Sequence, residues 1–101
     1  MNKKLLTTAE ELGEALGLSA ADTAEMEFRS DITVALVKII YQGSSTHAEL
    51  AKRAGTSRTR VTAIANGNTN GISTDVLIRV LAATGHKAKV KVSKVSGHRA
   101  A

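Results

Sequence analysis

No cysteine occurs in the 101 residues. Disulfides and thiolate metal sites are thereby excluded, and a reducing cytoplasm is the expected setting. Proline is also absent, so no segment is barred from helix by a missing N–H. Aromatic residues make up 2% of the chain, one Phe and one Tyr. The core must therefore be built from Leu, Ile, Val and Ala, which suits packed helices. Binding of single-stranded nucleic acid by stacking needs aromatic platforms and is not expected. No run is long and apolar enough to span a bilayer, so no membrane partner is expected. The start, Met1 to Leu6, has the basic end of a signal peptide, but Glu10 and Glu11 interrupt the apolar run and argue against one.

What the chain does contain is 43% hydrophobic residues, enough for one small core that is marginally stable alone. Its net charge of +5 is unevenly spread. Residues 1–36 hold three Lys or Arg against seven acids, a balance of −4, and residues 37–101 hold eleven against two, a balance of +9. A basic body behind an acidic start predicts a polyanion-binding domain with a separate acidic segment.

Helical signals dominate. Thr8-Ala9-Glu10-Glu11 forms a capping box, opening a short helix that Gly17 can end in a left-handed conformation. Ser19 to Asp22 starts a longer helix reaching about Gln42, with Gly43 as its stop. Along it Phe28, Ile32, Ala35, Leu36, Ile39 and Ile40 share one apolar face, and Val34, Val37 and Tyr41 form a second stripe. Two short helices follow, over Thr46 to Ala54 and Ser57 to Asn66. Another is capped by Ser73 or Thr74, carries Val76, Leu77, Val80, Leu81 and Ala83, and ends at Gly85. The period then changes. Residues 87–92 alternate Lys with Ala88, Val90 and Val92, which predicts a strand with one basic and one apolar face. A lone strand cannot satisfy its own backbone groups, so Ala88, Val90 and Val92 are expected to dimerise the chain by antiparallel pairing across a two-fold axis.

The segment from Thr46 to Gly67 carries the functional pattern. Thr46 and Glu49 form a capping box. Ala51 is small where two helices must approach, Gly55 suits a sharp turn at positive φ, and Ser57 caps the second helix. Leu50, Ala54, Val61 and Ile64 point inward. The outward residues of the second helix are Arg58, Thr59, Thr62 and Ala63, with Arg60 at the flank. They are cationic, hydrogen-bonding or small, as phosphates and base edges require. Between His47 and Gly67 the only acid is Glu49, which the cap uses. The pattern is a helix-turn-helix for duplex DNA. His47, His86 and His98 are far apart and lack ligating companions, so no metal is expected. No nucleophile–base pairing appears, so neither catalytic residues nor a cofactor are expected, and an enzyme is not predicted.

Ala-Glu-Leu-Ala-Lys-Arg-Ala-Gly followed by Thr56 to Gly67 resembles the lambda-repressor-like, or XRE, helix-turn-helix family. The flanks over roughly residues 16–92 resemble its small HigA-type antitoxin branch. The resemblance implies an all-α bundle of about five helices, closed here by the C-terminal strand paired across a dimer. It implies a phosphate contact at His47, where Gln is usual, and base reading by Arg58, Thr59, Thr62 and Ala63. It places Asn66 and the loop from Gly67 to Asn70 on the DNA backbone. The candidate DNA-facing set is His47, Thr56, Ser57, Arg58, Thr59, Arg60, Thr62, Ala63, Asn66, Asn68 and Thr69. Many members carry an acid near the end of the recognition helix for an internal ion pair, and Ala65 stands there instead.

The expected organisation is an acidic N-terminal helical segment (1–24), a DNA-binding domain (25–86), a dimerisation strand (87–95) and a tail (96–101). The expected function is a dimeric repressor of a palindromic operator. The resemblance makes it the antitoxin of a toxin–antitoxin pair, with the acidic segment set against a small basic toxin. The alternative is a stand-alone or phage-type regulator without a toxin. A third reading is a protein-interaction module whose helix-turn-helix has lost DNA binding, which the outward Arg58 and Arg60 oppose.

Overall fold

The computed structural model describes Glu11, Gly17 and residues 19–94. Among them are four helices: α1 (Ala20–Gln42), α2 (His47–Ala54), α3 (Arg58–Ala65) and α4 (Thr74–Ala83). The expected short helix after Thr8 lies almost wholly outside the described residues. Of its members Glu11 is helical and Gly17 stands at φ +77.

Three of the four described helices start where a side-chain oxygen takes an orphan N–H. Ser19 Oγ accepts from the Asp22 N–H at 3.0 Å and starts α1. At α2 the capping box is complete: Thr46 Oγ1 accepts from Glu49 N–H at 3.0 Å, and Glu49 Oε1 accepts from Thr46 N–H at 2.8 Å. Ser57 Oγ accepts from Arg60 N–H at 3.1 Å and starts α3. Ser73 precedes α4 but caps no backbone N–H. Its hydroxyl serves the Asp75 carboxylate instead and, with lesser help from the Arg79 guanidinium, holds that carboxyl below its ordinary pKa. Asp75 and Arg79 meet at 3.5 Å on an exposed surface, where such pairs add little stability.

Three helices end in one motif. After α2, the Gly55 N–H bonds Lys52 O and the Thr56 N–H bonds Ala51 O. Gly67 and Asn68 do the same to Ile64 and Ala63, and Gly85 and His86 to Ala82 and Leu81. This is the Schellman closure, with a left-handed residue one step past the cap. At Gly55, φ is +72 and an added Cβ would meet nothing within 4 Å. The demand there is therefore conformational rather than steric, on the order of 1–2 kcal/mol for another residue.

The core is a single cluster. α1 contributes Ile32, Leu36 and Ile40, α2 contributes Leu50, Ala51 and Ala54, α3 contributes Val61 and Ile64, and α4 contributes Leu77, Val80 and Leu81. Ile72, in the loop before α4, completes it at 7% exposure. The inward residues expected in the Thr46–Gly67 segment are all buried. The predicted face of α1 is narrower than its sequence pattern. Phe28 is 39% exposed, and the buried apolar face begins one turn later, at Ile32. Of the second stripe, Val34 and Tyr41 are exposed and Val37 is half-buried.

The expected strand over 87–92 does not form in the single chain, and residues 86–94 belong to no helix or strand. Among the described residues no other extended segment offers an edge to pair with. Val90 and Val92 consequently stand 82% and 87% exposed.

Leu36 is fully buried against the other helices. Leu36→Ala should cost about 2–5 kcal/mol, the usual range for such a truncation. Urea unfolding followed by circular dichroism checks it. A loss below about 1 kcal/mol would mean that α1 is not docked as described.

Candidate nucleic-acid interface

α2 and α3 are joined by Gly55, Thr56 and Ser57 and packed on each other and on the body. Val61 and Ile64 are both at 0% exposure. With that face of α3 fixed inward, helical geometry fixes the opposite face. Arg58, Thr59 and Arg60 are exposed, and Thr62 and Ala63 are half-buried along one edge. Arg58 and Thr62 stand one turn apart and so share a side.

The helix pair also brings His47 to α3. The His47 Nδ1 and the Thr62 Oγ1 lie 2.9 Å apart. The residue expected to touch a phosphate and one expected to touch a base are thus hydrogen-bonded to each other, which sequence spacing does not disclose.

Past α3 the chain turns through Asn66, whose N–H reaches Thr62 O and Ala63 O, each at 3.1 Å. Asn66 and Asn68 are exposed and Thr69 is half-buried. This loop is held from both ends. Ile72 is buried below it, and its N–H bonds Thr69 O at 3.1 Å. From α1, Arg29 donates Nη2 to Thr69 O at 2.9 Å and Nη1 to Thr74 Oγ1 at 3.0 Å. The Thr74 hydroxyl in turn donates to Glu25 Oε2 at 3.4 Å. Sequence reasoning did not single out Arg29. A signal was present: Arg29, Ile32 and Leu36 fall on one helical face, so the only cation between Leu5 and Val37 points toward the body.

Thr56 departs from the rest of the predicted set. Its Oγ1 is buried and has no hydrogen-bond partner, whereas Ser57, its neighbour in the turn, is exposed. In this conformation the Thr56 side-chain oxygen offers nothing to a phosphate.

The electrostatics of the segment are one-sided. Arg58 and Arg60 stand at the start of α3, whose first turn holds no acid. Its free N–H groups add partial positive charge at the same end. Glu49, the nearest acid in sequence, is committed to the Thr46 N–H. Cationic side chains, hydroxyls and a helix start facing one way can hold phosphates and read groove edges. Among the described residues no three His, Cys, Asp or Glu are grouped to hold a metal ion, and no helix is long and apolar enough to cross a membrane.

A family model described as a helix-turn-helix domain matches residues 15–93, most of the chain. No curated protein and no solved structure matches it.

An unpaired buried hydroxyl costs roughly 1–3 kcal/mol, and valine has nearly the shape of threonine. Thr56→Val should therefore raise stability by about 1 kcal/mol while leaving duplex-DNA affinity unchanged. Thermal melting and fluorescence anisotropy read the two effects. A loss of affinity without a change in melting would restore Thr56 as a phosphate contact.

Proposed function

The chain belongs to the helix-turn-helix domain family matched over residues 15–93, and from that membership we propose that it is a sequence-specific repressor of the XRE type. Its DNA-reading element is α3. The observation that carries this is the division of that helix: Val61 and Ile64 are sealed in the core, while Arg58, Thr59 and Arg60 stand in solvent beside a basic surface. In this reading Arg58, Thr59, Thr62 and Ala63 face bases. His47, Ser57, Arg60, Asn66, Asn68 and Thr69 meet the sugar-phosphate backbone.

Arg58 sits at the first position of α3, where it can present its two-pronged guanidinium to guanine N7 and O6. Such a pair carries roughly 1–3 kcal/mol of discrimination. Arg58→Ala should relax specificity at one position per half-site in a binding selection. Uniform weakening across sequences, with a shallower salt dependence, would make Arg58 a phosphate contact instead.

The repressor acts as a two-fold dimer on a palindromic operator, with recognition helices about 34 Å apart. What supports this is the 87–92 segment, which alternates Lys with apolar residues and leaves Val90 and Val92 bare in the single chain. Replacing Val90 and Val92 with Asp should give a monomer by sedimentation and abolish tight binding to a full palindrome. A variant that stays dimeric and binds like the parent would remove the segment from the interface.

The antitoxin role is the finer part of the proposal. It rests on the resemblance of the flanks and on the −4 balance of residues 1–36, a charge suited to a small basic toxin. Co-expression with the product of the neighbouring reading frame tests it. Rescue of growth supports it, and absence of any toxic neighbour leaves a stand-alone regulator.

A further inference from the structure

We propose that the His47 imidazole sets the hydrogen-bond polarity of the Thr62 hydroxyl, so that the base selected at Thr62 depends on whether His47 carries a second proton. The inference rests on the reading above, in which Thr62 faces the major groove and His47 a phosphate. Its own observation is the 2.9 Å contact between His47 Nδ1 and Thr62 Oγ1, between half-buried residues of two packed helices. Among the described residues the other ring nitrogen, Nε2, has no partner.

A hydroxyl has one proton to donate and two lone pairs to offer, and a neutral imidazole has one donor and one acceptor nitrogen. A phosphate beside Nε2 requires the proton on that nitrogen, because a bare lone pair there would face an anion. In the neutral ring Nδ1 is then the acceptor, and the Thr62 O–H points at it. Thr62 offers the groove only lone pairs. These match an exocyclic amine, the N4 of cytosine or the N6 of adenine. In the doubly protonated ring both nitrogens donate. Nδ1–H now points at Oγ1, and the hydroxyl proton turns outward. Thr62 becomes a donor, matched by N7 or O6 of guanine or O4 of thymine. Nε2–H serves the phosphate in both states, so the proton changes what is read while the anchor to the backbone is kept.

Both acids on α2, α3 and α4 are engaged with other partners. α2 packs on α3 and α4. α3 brings Arg58 and Arg60, and α4 brings Asp75 and Arg79, which bridge each other. α2 itself carries Glu49, Lys52 and Arg53. Glu49 is held by the Thr46 N–H, and Arg53 reaches away to Ser45 Oγ and Ala83 O.

The test measures full-length protein against operator duplexes varied at every half-site position, at about pH 5.5 and about pH 8, which bracket the charge change of imidazole. The parent should switch preference at one position, from an amine-bearing base at high pH to an acceptor at low pH. The expected change is about two- to tenfold, the ratio that one neutral hydrogen bond carries. His47→Gln should hold one preference at both pH values. Thr62→Val should lose the preference at that position and keep the others. A parent preference that ignores pH while operator binding persists would overturn the proposal, as would an undiminished switch in His47→Gln. Loss of sequence-specific binding by the parent at both pH values would overturn the underlying reading as well.

Discussion

Everything on the outward face of α3 depends on two side chains that point the other way. α3 is eight residues long, too short to hold a helical state by itself in water. Val61 and Ile64, buried without residual exposure where α3 packs on α1 and α2, supply the tertiary packing that makes it a helix. They also fix its rotation. Arg58, Thr59 and Thr62 have no freedom to face elsewhere while those two positions remain in the core. In the proposed reading, contact with DNA is therefore a consequence of packing: the core sets the angle, and the outward residues inherit it.

The connections show the same division between backbone demands and side-chain identity. α2 and α3 end in left-handed glycines with paired closing bonds, and each starts on a hydroxyl that takes an N–H three residues on. These devices are local. They draw on neighbouring residues alone, so they mark where each short helix begins and stops, while packing sets its orientation. Thr56 fits this view. It lies between two such devices, and its buried hydroxyl has no partner, so its backbone, which closes α2 on Ala51 O, matters more than its side chain.

Such local devices are why so much was legible in the residues alone. The capping box at Thr46, the positive φ at Gly55 and the inward set Leu50, Ala54, Val61 and Ile64 are each implied by spacing within a few residues. What escaped was long-range. Arg29 meets Thr69 and Thr74 across 40 and 45 residues, and His47 meets Thr62 across 15. Periodicity assigns a residue to a face but does not say what the face touches. The alternation of 87–92 failed to yield a strand for a related reason. A side-chain pattern can mark a surface as strand-compatible, but the ladder bonds must come from a second edge, and among the described residues of the single chain there is none.

The Arg29 contacts bear on how the surface keeps its charge. The resemblance places an acid near the end of the recognition helix for an internal ion pair, and this chain has Ala65 there. The loop after α3 is nevertheless anchored, because Arg29 bonds a carbonyl and a hydroxyl. A neutral acceptor restrains the loop as a carboxylate would, but it does not cancel the cation. Glu25, which reaches the same Thr74 hydroxyl at 3.4 Å, offsets part of that charge from farther away. The positive potential is thus retained beside Asn68 and Thr69, where the proposed reading puts the DNA backbone. An acidic start can then precede a basic body in one short chain, because the one cation between Leu5 and Val37, Arg29, is directed to the loop and to the start of α4.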